Sequence, residues 1–177
     1  MSPRMDWQST FGLLGFFAAC FAAACTGAVF KPGEWYDRLD RPNWLPPDWA
    51  FPVAWSLLYI MIAVAAWLVW RVEGFQLALG IWAVQLVLNA LWSVLFFGVR
   101  RLGLALAEAL ALWASILACI VTFAPVSATA AWLMVPYLAW VTFACVLNWS
   151  MWRRNPGPHP VITMAEMKAP PRRYQRG

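Results

Sequence analysis

Charged residues divide the chain into long apolar runs. Trp7–Phe30 is 24 residues without a charge, Trp49–Trp70 is 22 and Phe75–Val99 is 25. Leu102–Phe123 adds 22 residues with one charge, Glu108, and residues 109–152 form 44 uncharged positions in a row. A helix needs about 20 mostly apolar residues to cross the hydrocarbon core of a bilayer. The 44-residue stretch is too long for one crossing, and Ala124-Pro125-Val126-Ser127 is its natural break. The pattern predicts an all-α integral membrane bundle of five helices, over about 7–30, 49–70, 75–99, 102–123 and 129–152. A membrane barrel would instead show alternating segments of about ten residues.

Composition agrees with lipid as the main solvent. Of 177 residues, 63% are hydrophobic and 12% charged, against about 45–50% and about 25% in soluble domains. That balance excludes a soluble enzyme, a disordered chain and a nucleic-acid-binding domain. The net charge of +5 is loop charge. With five spans, the N-terminus and the 2–3 and 4–5 connections share one side, carrying Arg4 and Arg71. The opposite side carries the other 11 of the 13 Lys and Arg residues. The positive-inside rule then predicts a multi-pass protein, expected in a bacterial inner membrane, with its N-terminus outside and its C-terminus cytoplasmic. Arg4, the first apolar run and Ala22-Ala23-Ala24 also fit a signal peptide, with Cys25 as a lipid-attachment site. The run of 24 residues exceeds the h-region of about 7–15 in such peptides, so span 1 is expected to be retained. The basic tail, residues 155–177, is rich in Pro, Arg and Gly and is expected to be disordered.

Chemistry-bearing residues are few. Cys20, Cys25, Cys119 and Cys145 lie within spans without a C-x-x-C pair and read as packing residues. The single histidine, His159, lies in the tail, so no metal site and no intramembrane haem ligand is expected and no cofactor is required. Glu108 is the only charge inside a span. It reads equally as a structural anchor paired with Arg100 or Arg101, as a protonated acid or as a proton relay. Small residues recur at fours in span 1 (Gly15, Ala19, Ala23, Gly27) and span 4 (Gly103, Ala107, Ala111, Ser115, Cys119). They predict close packing within the bundle or a homodimer seam.

The aromatic pattern is the strongest signal. Fourteen tryptophans are present, and only Trp7, Trp49, Trp70 and Trp152 fall at span ends, where aromatic belts belong. Measured from the end of each span at about 1.5 Å per residue, Trp55 lies about 9 Å deep, Trp92 about 10 Å, Ala144 about 12 Å, Tyr59 and Asn89 about 15 Å and Trp140 about 18 Å. Phe51, Trp55 and Tyr59 share one face; so do Gln85, Asn89, Trp92 and Phe96, and so do Pro136, Trp140, Ala144 and Asn148. Amides in hydrocarbon must face protein or a cavity, so Gln85 and Asn89 are interhelical bridges or pocket walls. The 18-residue connection Lys31–Asp48 has four prolines and the aromatics Trp35, Tyr36 and Trp44. It is expected to fold as a lid over this layer, with Trp44 held between Pro42 and Pro46.

Three segments carry a resemblance: WYDRLDRPNWLPPDWAFPVAWSLLY (Trp35–Tyr59), QLVLNALWSVLFFG (Gln85–Gly98) and VPYLAWVTFACVLNW (Val135–Trp149). They are similar to the TspO/MBR family, the tryptophan-rich sensory proteins that include the mitochondrial translocator protein or peripheral benzodiazepine receptor. The resemblance implies five membrane helices, frequent homodimers and a pocket under the first loop. That pocket would bind porphyrins and related tetrapyrroles such as protoporphyrin IX or haem, with sterol and benzodiazepine-type ligands in some members. By position, Trp55 in F-P-x-x-W and Trp140 in P-Y-L-x-W match the family's pocket tryptophans, Asn89 and Trp92 its N-x-x-W, and Ala144 a small residue beside the ligand. Trp149 stands where the family's proposed sterol motif has tyrosine, which weakens the implication of sterol binding. The expected ligand-binding set is Trp44, Trp55, Tyr59, Asn89, Trp92, Phe96, Trp140 and Ala144, with no catalytic residues. Sensing by ligand binding is the reading favoured. Light-dependent porphyrin degradation and porphyrin transport are the alternatives that the family implies.

Overall fold

The computed structural model describes residues 7–168. Five helices are long and apolar enough to span a membrane: α1 (Trp7–Val29), α3 (Ala50–Glu73), α4 (Leu77–Ser93, continued by a π-helical turn at Val94–Gly98), α5 (Leu102–Phe123) and α6 (Ala128–Arg154). Two short helices, α2 (Glu34–Asp37) and α7 (Met164–Lys168), lie in the first loop and in the tail. The chain is an integral multi-pass membrane protein, with bounds within a few residues of those read from the apolar runs.

Local chemistry explains the helix limits. Pro52 falls in the first turn of α3, where its missing N–H costs no helical bond. Gly74 ends α3 at φ 70, a left-handed conformation that a side chain disfavours. Ser127 caps α6, its hydroxyl accepting from the Ala130 amide at 3.3 Å. The π turn is marked by the Val99 amide donating to the Val94 carbonyl, five residues back, at 2.8 Å.

The helices close into a ring. In order around the bundle α1 packs on α3, α3 on α6, α6 on α5, α5 on α4 and α4 back on α1. Small residues let α3 sit close to its neighbours: Ala63, Ala65 and Ala66 are fully buried beside Ile62 and Val69. Phe16 of α1 meets Trp82 of α4 edge-on at 5.3 Å, and the Trp82 indole N–H donates to the Ile62 carbonyl. Outward faces carry Trp7, Phe11, Phe21, Phe75 and Trp132, all more than half exposed in the isolated chain. Such faces suit lipid tails.

Residues 155–168 of the tail, expected from composition to be disordered, have partners in the structure. The segment folds back across the lid end of the bundle: the Ile162 amide donates to the Gly98 carbonyl at 2.9 Å, and Arg100 donates to the Pro160 carbonyl at 3.2 Å and to Glu166 at 2.8 Å. Composition argued for a solvated segment, but Arg100 and the free carbonyl of Gly98 supply it with specific partners. Residues 169–177 of the tail and Arg4 lie outside the described residues.

Candidate ligand-binding cavity

At the lid end the ring of helices encloses a cavity of about 540 Å³. Seven of the eight side chains singled out from the sequence meet there: Trp55 and Tyr59 from α3, Asn89, Trp92 and Phe96 from α4 and its π turn, and Trp140 and Ala144 from α6. The rings line the wall in contact with one another. Trp55 and Tyr59 stand 5.6 Å apart, Trp92 stacks on Phe96 at 4.9 Å, and Trp140 packs between Phe51 at 5.8 Å and Phe143 at 5.5 Å. The π turn contributes to this wall, because it turns both Phe96 and Phe97 toward the cavity.

Trp44 is the exception. It stays outside the cavity wall, partly exposed, with its ring 6.0 Å from Phe143. The lid reaches the cavity through Pro32, Tyr36 and Asp48 instead. Sequence reasoning also left out α1, whose Ala24, Gly27 and Ala28 form part of the wall. Gly27 ends the small-residue stripe of span 1, and that stripe, read as packing, was the only signal available.

Polar groups hold the wall in register. Asn89 sits at the centre: the Tyr59 hydroxyl donates to its carbonyl oxygen at 2.5 Å, and its amide donates to the Tyr137 hydroxyl at 2.9 Å. One amide thus ties α3, α4 and α6 together. Two polar groups of lining residues are buried without a partner among the described residues, the Trp92 indole N–H and the Asn148 carbonyl oxygen. The wall is mostly apolar, with Asp48, Ser56, Tyr59, Asn89 and Ser93 as polar lining residues. Gln85, one turn from Asn89, is fully buried but does not line the cavity, and neither end of its amide has a partner among the described residues.

Of the readings left open for Glu108, pairing with Arg100 or Arg101 is not formed in the structure. It is buried on α5 without a partner among the described residues, while Arg100 turns to the tail. Trp113, on the same helix, donates to the Thr142 hydroxyl at 2.8 Å and stays off the cavity wall.

The lid is closed and fastened. Tyr36 and Leu39 are buried against Phe96, Leu102, Leu147 and Met151. The Asp40 amide donates to the Asn155 side chain at 2.8 Å, and Asn155 donates back to the Asp40 carbonyl at 3.0 Å. Trp35 of α2 lies between the Arg100 guanidinium, 5.3 Å from its ring, and the His159 ring, also at 5.3 Å. Arg100 itself takes a left-handed φ of 58, alone among the described non-glycine residues. Such a conformation costs about 1–3 kcal/mol, and the tail contacts of its guanidinium hold it in place.

The Arg100 guanidinium beside Glu166, with the Thr163 amide and hydroxyl, holds that carboxyl at about 2. A carboxylate with a lowered value stabilises the docked tail above its ordinary value of 4.5, and this contribution fades as pH falls from there toward 2. Hydrogen exchange at the Ile162 amide should therefore stay equally protected from pH 5 to 8, after correction for intrinsic rates. It should lose protection between pH 4 and 2, or at any of these pH values in Glu166→Gln. Protection unchanged in that variant would mean that the ion pair does not hold the tail.

The comparisons with known proteins fit this architecture. The sequence matches the TspO/MBR family over residues 16–153. It is 45% identical over 153 residues to the protein CrtK of Rhodobacter capsulatus, covering 82% of this chain and 94% of that protein. It is 44% identical over 152 residues to the tryptophan-rich sensory protein of Cereibacter sphaeroides, covering 86% and 94%. It is 38% identical over 152 residues to the translocator protein of Homo sapiens, covering 81% and 90%. Five membrane helices in a ring, an aromatic cavity beneath a folded first loop and these matches lead to one conclusion: the chain belongs to the TspO/MBR family.

Proposed function

We propose that the protein is a membrane receptor that binds a flat tetrapyrrole, such as protoporphyrin IX or haem, in the cavity beneath the lid and acts as a sensor. The observation that carries this reading is the cavity wall. Trp55, Trp92, Phe96 and Trp140 present rings around about 540 Å³, a volume within the range of about 300–1,000 Å³ typical of small-molecule sites. An apolar macrocycle with polar edges suits such a wall, which also carries the polar side chains of Ser56, Tyr59 and Asn89. The family's sensory and translocator names support ligand recognition. Sterol or benzodiazepine-type ligands and a homodimeric state are parts of the same proposal.

Titration of the purified protein with protoporphyrin IX tests it through quenching of tryptophan fluorescence. Saturable quenching that competes with haem supports the reading, and a linear inner-filter response would overturn it. Illumination of the complex separates sensing from conversion: the porphyrin absorption spectrum is expected to stay constant.

Orientation is part of the proposal. The 11 to 2 bias of Lys and Arg supports a cytoplasmic lid and tail in a bacterial inner-membrane protein. Reporter fusions after Arg154 are expected to be active only with a cytoplasmic reporter. Activity of a periplasmic reporter there would reverse the topology.

A further inference from the structure

A second cavity, of about 310 Å³, lies outside the lid between the start of α5 and the end of α6, beneath the tail. Arg100, Arg101, Trp152, Asn155 and His159 line it with the first turn of α5, Leu102–Leu104, and none of its lining residues is acidic. Four observations point to an anion. The Arg100 side chain is only 6% exposed, and although its terminal nitrogens bind the tail, its Nε is buried without a partner among the described residues. The His159 Nε2 is buried and unpartnered in the same way. Arg101 is exposed and forms no ion pair among the described residues. It also stands at the N-cap of α5 without a capping side chain, so the helix presents its positive end and its first amides to the cavity.

The site also has a shape. A Cβ on Gly103 would meet the Trp152 indole nitrogen at 3.0 Å, so glycine is what lets that indole lie against the backbone. Trp152 and Trp149 are about half exposed at this end of α6, where tryptophan belongs at the level of lipid headgroups. The mouth of the cavity therefore opens where the apolar helices end.

We infer that this cavity binds the phosphate of an anionic phospholipid headgroup. The guanidinium of Arg101, the His159 ring, the buried Arg100 nitrogen and the α5 amides would receive the phosphate oxygens, and the acyl chains would follow the apolar α5–α6 surface into the bilayer. The reading does not depend on what the larger cavity holds.

Thermal unfolding of the purified full chain in detergent tests it, with phosphatidylglycerol, phosphatidylcholine or inorganic phosphate added. Phosphatidylglycerol is expected to raise the melting temperature by about 3 °C or more over phosphatidylcholine. Arg101→Gln and His159→Gln should each remove most of that gain. Both side chains lie near the surface, so neither change should itself prevent folding. Arg38→Gln and Arg153→Gln, charge-matched changes outside the cavity, should keep it. Equal stabilisation by both lipids, or equal loss in all four variants, would reduce the effect to general surface charge and overturn the site. A full gain from inorganic phosphate alone would overturn the lipid as its source.

Discussion

Trp140→Ala is expected to weaken binding of protoporphyrin IX by about 30-fold, the equivalent of about 2 kcal/mol for a central aromatic anchor. Trp140 lines the cavity and holds its place between Phe51 and Phe143, so its loss removes ligand contact and loosens two neighbours. Trp140→Phe should cost less, because a ring remains. Trp113→Phe is the control: its indole serves Thr142 and does not reach the cavity wall. Affinity lowered by Trp113→Phe but not by Trp140→Ala would place the binding site on the other side of the bundle. Ala144→Thr adds a hydroxyl and a methyl to a wall position, and overpacking of about 1–3 kcal/mol is expected. Melting temperature measured beside affinity separates that strain from blocked binding.

Two substitutions one helical turn apart on α4 are expected to differ in sign or size: Asn89→Leu destabilises and Gln85→Leu does not. Asn89→Leu leaves the hydroxyls of Tyr59 and Tyr137 without their shared amide, both in the interior of the bundle. Hydrogen bonds between membrane helices average about 0.6 kcal/mol and reach about 1.7, so losing both should cost about 2 kcal/mol. Gln85→Leu removes an amide that is fully buried and has no partner among the described residues. Replacing an unsatisfied buried amide by an apolar side chain of similar size is neutral or stabilising. Thermal unfolding of the two variants in the same detergent checks this, and equal destabilisation would show that Gln85 is bonded in the membrane.

The spans were legible because lipid imposes one rule, a long run without charge, and the runs here end at charges or at a Pro-Ser break. The cavity face was legible because Trp55, Asn89, Trp92, Trp140 and Ala144 share a depth and each set keeps to one helical face. Trp44 misled because a proline-bracketed aromatic in a loop looks the same whether it turns into the bundle or lies across its rim. Periodicity reports which face a residue takes only where a helix fixes the angle. Gly27 was ambiguous for a related reason: a small residue marks close approach but does not say whether a helix or a ligand approaches. The partner of Arg100 was hidden because Glu166 lies 66 positions away, while Glu108, near in sequence, was one candidate among equals.

The π-helical turn at Val94–Gly98 makes this wall sensitive to chain length as well as to side-chain volume. Such a turn is one residue longer than the α-helical turn it replaces. Deleting one residue there would let the backbone revert to a continuous α-helix. Everything beyond would keep nearly its present direction, because the π turn already holds the extra residue within itself. What the shorter turn could not do is send both Phe96 and Phe97 to the cavity wall, as the π turn does. Variants of this protein that differ in length should therefore differ in the loops and the tail, while this five-residue segment keeps its count.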